Sequence, residues 1–352
     1  MTERENLLKA LRRDHPDHVP HGFSLCESLE KQFIEKTGCS DYMEYFHMPY
    51  RYLDILPTKY PMDYRPYFKN IPEGMTIDEW GIGYLKGSFE HFWKFIHPME
   101  HFTSAKEILD FPVPDVLADY RWEGLAEKVE ETKNNGLAAV YFAIQVFEPA
   151  WYLRGMENLL ADMIEEEEMA AACLDRMTDI KAAMCAKLAA AGMDIIVYGD
   201  DVGTQRGMMM NPELWRKWLK PTMAKVIKAA KDIKPDLIAY YHSDGVIDDI
   251  IPDLIEIGVD VLNPVQPECM DPVRIKELYG DKLSFWGTIG TQTTMPFGKP
   301  EDVADKVREM VETVGKGGGL VLAPTHLLEP EVPWENIRAF VDSVKKFGVY
   351  DR

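Results

Sequence analysis

Two histidines stand where chemistry is easiest to place. His242 closes the apolar run in LIAYYHSDG (Leu237–Gly245), with Asp244 two residues on. His326 closes GLVLAPTH (Gly319–His326). Zinc accepts imidazole nitrogen and carboxylate oxygen at about 2.0–2.2 Å, so His242, Asp244 and His326 form one candidate metal set. The same histidines could instead be a general acid and an orienting base. His-x-Asp alone does not choose between these, and a lone histidine at a strand end is more often structural. Other polar residues end other apolar runs. Glu148 follows Ala138–Phe147, and Asp200 and Asp201 close Asp194–Asp201. Glu148, Asp200, His242 and His326 are the candidate catalytic residues. His21, Asp201, Asn263, Gln266, Trp286 and Glu329 are candidate substrate contacts. Asp201, Asp244 and Asp271 could each equally be a helix cap.

The runs that carry these residues set the expected fold. Six of them, Ala138–Phe147, Asp194–Asp201, Leu237–Gly245, Val259–Pro267, Leu283–Gly290 and Gly319–His326, are apolar along most of their length. That pattern fits parallel strands covered on both faces. Amphipathic segments separate the later runs: Pro212–Ala230, Val246–Ile257, Pro272–Tyr279, Pro300–Val314 and Pro333–Phe347. Proline is tolerated in the first helical turn because its missing N–H costs nothing there. Two earlier candidates, His18–Ser24 and Tyr52–Leu56, bring the strands to eight. Strand–helix alternation predicts an α/β fold, a closed (β/α)8 TIM barrel in preference to an open sheet. In such a barrel the C-terminal strand ends converge on one mouth, so polar ends on successive strands form one site.

A helix should open the chain, with Leu7, Leu8 and Leu11 on one face and Thr2 and Glu5 at capping-box spacing. The stretch from about 57 to 121 is aromatic-rich and irregular and contains a hairpin-like IDEWGIGYLKG. We read it as an insertion in a single domain, 1–352. Its Tyr60, Tyr64, Tyr67, Phe68, Trp80, Tyr84, Phe89, Phe92 and Trp93 should either cover the mouth and set substrate size or form a satellite core.

Composition removes several classes. The net charge is -20, from 59 acidic and 39 basic residues. Nucleic acid and anionic membrane surfaces both need a positive footprint, so neither is expected as a partner. No signal peptide and no apolar run of about 18 residues occurs. The cysteines number five and include no CxxC, which fits reduced thiols in the cytoplasm. There is no P-loop, no GxGxxG after a strand and no serine elbow. GKGGG at Gly315–Gly319 reads as a turn closing a helix.

Several longer segments carry a family resemblance. RENLLKALRRDHPDHVP, GDDVGTQRGMMMNPELWRKWLKP, the His-Ser-Asp-Gly after a strand, NPVQPECMDPVRIKELYGDKLSFWGTIGTQ and LAPTHLLEPEVPWENI resemble the uroporphyrinogen decarboxylase superfamily. The likeness runs nearly end to end and is strongest from Gly199 to Val349. It implies the same barrel and one of two chemistries: decarboxylation of tetrapyrrole acetate arms, or methyl transfer to or from a corrinoid protein. Decarboxylases of this family carry arginines just after the first strand. The matching GFSLCESLEKQF has Cys26 and Glu27 and no arginine, and Met156 stands where the substrate tyrosine is expected. His326 does match the decarboxylase histidine. In the zinc methyltransferases the metal is held by His-x-Cys and a later cysteine. His242 matches that histidine, while Asp244 and His326 stand in the cysteine positions. The resemblance therefore implies a harder N/O zinc site, suited to polarising a methyl ether or amine. The expected partners are a small methylated substrate and a corrinoid carried by another protein, with the chain a monomer or homodimer. A decarboxylase-like lyase on a non-porphyrin acid and a non-catalytic ligand-binding barrel are the alternatives.

Overall fold

A computed structural model describes residues 1–87 and 93–350. Phe89, His91 and Phe92 lie outside the described residues. In chain order the strands are β1 (Tyr50–Tyr52), β2 (Thr76–Ile77), β3 (Gly83–Lys86), β4 (Trp93–Ile96), β5 (Ala138–Gln145), β6 (Ile195–Gly199), β7 (Gly203–Thr204), β8 (Gly207–Met208), β9 (Ile238–His242), β10 (Val261–Asn263), β11 (Ser284–Ile289) and β12 (Leu320–Pro324). One sheet runs in the order β1-β5-β6-β9-β10-β11-β12. Every neighbouring pair in it is parallel. Residues 18–25 take the eighth place. Gly22 N–H donates to Leu322 O at 3.1 Å, and Leu322 N–H donates to Pro20 O at 2.9 Å. Pro20 has no N–H to give, so this segment makes isolated bridges instead of a regular strand. It then meets β1. A Cβ on Gly22 would fall 2.3 Å from the Tyr50 hydroxyl, so only glycine lets the two segments approach this closely. The sheet curls into a (β/α)8 barrel.

The six later runs all form barrel strands. β6, β11 and β12 are buried at every residue, as expected of strands between a filled interior and an outer helical layer. The second strand begins at Tyr50, two residues earlier than expected at Tyr52. Pairing starts as soon as Pro49 is passed, with Ala138 N–H on Pro49 O at 2.9 Å. The helices at Pro212–Lys231, Pro272–Tyr279, Pro300–Glu312 and Trp334–Phe347 form where proline and apolar periodicity placed them. Val246–Ile257 is shorter, a 3-10 turn at Asp248–Ile250 running into a helix at Ile251–Glu256. Thr2 and Glu5 form the capping box, and Asp271 caps its helix through Val273 N–H and Arg274 N–H. All five cysteines are free. Among the described residues no helix is long and apolar enough to cross a membrane.

The aromatics of the insertion fall into two groups. β2, β3 and β4 form a small antiparallel sheet with the hairpin register Ile77↔Gly83. Asp78 fixes that turn by accepting from Trp80 N–H and Ile82 N–H, both at 2.9 Å. Tyr64 stacks on Phe111 with centroids 5.4 Å apart, and Tyr67 and Phe102 join them in a satellite core. Trp80 and Tyr84 instead line a cavity against Gln145, at the C-terminal end of β5. The insertion therefore stands on the mouth side of the barrel.

Candidate metal centre at the barrel mouth

Register builds the site. β6 and β9 pair Gly199 with His242, and β9 and β10 pair His242 with Asn263. Two residues beyond the first pair, Asp201 and Asp244 meet, with Asp244 N–H donating to Asp201 Oδ1 at 2.8 Å. His242 Nε2 lies 3.6 Å from the same oxygen. One ligand atom from each of Asp201, His242 and Asp244 falls within 4.8 Å of the others.

The proton on His242 is placed by its neighbours. The Asn263 side-chain amide donates to Trp286 O at 2.6 Å, so its oxygen must face His242 Nδ1, 2.5 Å away. Asn263 Oδ1 can only accept, so Nδ1 carries the proton and Nε2 keeps a lone pair directed at the aspartates. Burial pulls the imidazole pKa down, but Asp244, Asp201, the Asn263 bond and Glu148 carry it above its usual value. Burial raises the Asp244 pKa, and Asp201 adds to this against the opposing pull of His242 and His326. One Asp244 oxygen, Oδ1, is buried with no hydrogen-bond partner among the described residues. Unsatisfied buried carboxylate oxygens are rare and call for a cause, such as a bound ion.

His326 stands at the margin of this group. Its Nε2 is 4.0 Å from Asp244 Oδ2, and its side chain is 48% exposed. It lines two cavities. One, of about 280 Å³, also touches His242, Asn263, Trp286, Tyr50 and Tyr240. Trp286 stands edge-on to Tyr50 and Tyr240, with centroids 5.0 and 5.3 Å away, as a rigid aromatic wall. The other cavity, of about 340 Å³, touches Asp244, Gln266 and Glu329.

Glu148 lies behind the cluster at the start of helix Phe147–Arg154. It accepts from Tyr152 O–H at 2.8 Å, from the Gln145 amide and, at 3.4 Å, from Asp201 N–H. Burial and then the charge of Asp201 raise its pKa.

Of the residues named from sequence, His242, Asp244, His326, Asp201, Asn263, Gln266, Trp286 and Glu329 gather at the mouth. Asp200 and His21 face elsewhere. The Asp200 carboxylate accepts from Val146 N–H and Glu148 N–H at 3.1 and 2.9 Å, holding the start of Glu148's helix. His21 Nε2 bonds Phe46 O at 3.0 Å and its ring abuts Phe340 of the last helix. Burial drops its pKa to about 4, which keeps it neutral. Sequence reading placed Asp201 with substrate, whereas the structure sets it beside His242 and Asp244. The available signal was the alignment of Gly-Asp-Asp with His-Ser-Asp at the ends of adjacent parallel strands.

A parallel barrel with an imidazole and two carboxylates converging on its C-terminal rim, beside aromatic-walled cavities, is the layout of a TIM-barrel small-molecule site. Residues 97–347 match the family model for uroporphyrinogen decarboxylase (URO-D), and the chain belongs to that family. Relatives include the methylcobamide:CoM methyltransferase MtaA of Methanosarcina barkeri, 26% identical over 54% of this chain and 52% of that protein. A methylated-thiol–coenzyme M methyltransferase of Methanosarcina mazei is 23% identical over 63% and 57%. A uroporphyrinogen decarboxylase of Coxiella burnetii is 22% identical over 50% and 47%. The chain thus spans about half the length of the curated relatives it matches. A solved methyltransferase from Methanosarcina mazei shares the fold with TM-score 0.72 at 18% identity, over 99% of each chain.

Proposed function

We propose that this chain is a zinc-dependent methyltransferase. It would move a methyl group from a small methyl ether or amine to a corrinoid carried by a partner protein. The observation that carries this reading is the cluster of Asp201, His242 and Asp244 with the orphaned Asp244 Oδ1. The relatives named as methylcobamide and methylated-thiol methyltransferases support the reaction class.

The donor set fits zinc: one imidazole nitrogen with its lone pair free, and two carboxylates. When bound, zinc would supply Lewis acidity toward the donor heteroatom. The remaining work belongs to the chain. Asn263 holds the His242 tautomer and ring direction. Glu148 holds Asp201 through its backbone N–H and adds negative charge behind the site. Trp286, Tyr50 and Tyr240 give an aromatic wall that excludes water and orients a small apolar methyl donor. His326 borders both cavities and is placed to deliver a proton to the departing heteroatom. Asp200 acts through Glu148, whose helix it caps.

The two mouth cavities are lined by no Arg or Lys among the described residues. A substrate with eight carboxylates would find no partners there, and unpaired buried anions are very costly. We therefore expect no turnover of uroporphyrinogen. The test is a panel of methyl ethers and methylamines incubated with the zinc-loaded protein and free cob(I)alamin, followed by the visible spectrum. Conversion to methylcobalamin with one donor class, lost in His242→Ala, is expected. Uroporphyrinogen decarboxylation at about 1 per second or faster, with no donor demethylated, would overturn the reading.

A further inference from the structure

A cavity of about 520 Å³ lies between the insertion, the end of β5 and the long helix Glu167–Ala190. Phe142 lines both this cavity and the mouth cavity beside His242. Trp80, Tyr84 and Tyr141 supply further aromatic wall.

Most charged groups around this cavity are accounted for. Arg121 reaches Glu79 at 3.0 Å and Asp115 at 3.2 Å. Asp78 accepts from Trp80 N–H, Ile82 N–H and the Tyr84 hydroxyl. Asp54 accepts from Ile55 N–H at 2.7 Å. Lys181 is different. It is 7% exposed, lines the cavity, and makes no hydrogen bond or ion pair with the described residues. Its ammonium stands 4.9 Å over the Trp80 ring. A buried ammonium without an anion is expensive, and a ring face offsets only part of that cost. Burial draws the Lys181 pKa down to about 8, with Cys185, Asp200 and Glu79 opposing. It therefore stays mostly protonated at neutral pH.

We propose that this cavity is a second ligand site, for a small aromatic carboxylate whose anion pairs with Lys181 and whose ring packs on Trp80, Tyr84 and Phe142. A protonated lysine at the back of an aromatic cavity selects an anionic head on a flat apolar body. The volume is ample for one benzoate-sized molecule. The site shares Phe142 with the mouth cavity but includes none of Asp201, His242 and Asp244, and it does not depend on the methyl-transfer reading.

Calorimetric titration of the full chain with benzoate tests it. Benzoate should bind with a Kd of about 1 mM or tighter. Neutral benzamide, of nearly the same shape, should bind at least about tenfold more weakly, as expected when a charge-assisted bond is lost. Lys181→Met should weaken benzoate at least as much while leaving the thermal unfolding of the chain unchanged or raised, since it removes a buried unpaired charge. No benzoate binding at about 10 mM, equal binding of benzamide, or undiminished binding by Lys181→Met would each overturn the proposal. The benzoate–benzamide comparison uses the unaltered chain and so decides even if the variant folds poorly.

Discussion

Strand β6 is flanked by aspartates that meet opposite fates. Asp194 precedes it and is saturated. Arg4 grips both its oxygens at 2.9 and 2.7 Å, Ala139 N–H donates at 3.1 Å, and Lys133 lies 3.5 Å away. Asp260, before β10, is likewise held by Lys231 and Ala239 N–H. At the other end, among the described residues, Asp201 meets only a backbone N–H and a histidine at 3.6 Å, and neighbouring Asp244 keeps an oxygen with no partner. At the entry ends Asp194 and Asp260 are spent on stability; at the exit ends Asp200 is spent on the start of Glu148's helix, while Asp201 and Asp244 are held in reserve. A barrel can do this because its interior layers and bottom face carry the fold, freeing the top for chemistry.

The contrast can be broken by substitution at either end. Asp194→Ala should have the largest effect on stability, about 3 kcal/mol. That is the low end for breaking a buried pair, because Arg4 and Lys133 keep 28% and 23% of their side chains in water. Urea unfolding measures it, and zinc content per folded chain should not change. Asn263→Ala should lower zinc affinity about 10- to 100-fold, the usual consequence of losing the group that orients a metal-binding histidine. Competition against a chromophoric chelator reads this, and an unchanged affinity would break the assigned tautomer.

Protons should compete with zinc. Burial lowers the His242 pKa, but Asp244, Asp201, the Asn263 bond and Glu148 together outweigh it and leave the pKa raised. Zinc needs the neutral ring, so its affinity should fall as pH drops through that raised value, beginning above the usual histidine range. Asp244→Asn should have the smallest effect on stability, under about 1 kcal/mol and of either sign, because the lost oxygen has no partner to abandon. The folded-state pKa of Asp244 is raised. Its ionisation therefore costs stability as pH rises from the ordinary aspartate range through that value, and the asparagine variant should lose this slope. Unfolding curves at several pH values compare the two.

The later barrel strands were legible because each is an uninterrupted apolar run ending in a polar residue. DIIVYGDD and LIAYYHSDG state both the strand and its rim. Thr2 and Asp271 were legible as caps because capping is local. Residues 18–25 were harder, since Pro20 leaves the first segment only isolated bridges. The place of Asp201 depends on the register of β6 against β9, which no single segment encodes. The direction of His21 is not legible locally, because a residue in a strand can face the mouth or the helices, and its contacts with Phe46 and Phe340 come from distant parts of the chain. Lys181 reads as an ordinary polar position on a long helix until the insertion folds over it.

Zinc stoichiometry of the wild-type chain and of His242→Ala, measured together with thermal unfolding, decides whether the mouth holds a metal. One tightly held zinc per wild-type chain is expected, and loss of zinc in the variant for a stability cost of only about 0.5–2 kcal/mol. A wild-type chain that takes up no zinc, or a variant that keeps its zinc and melts far lower, would show that His242 is a structural residue and that the mouth is not a metal site.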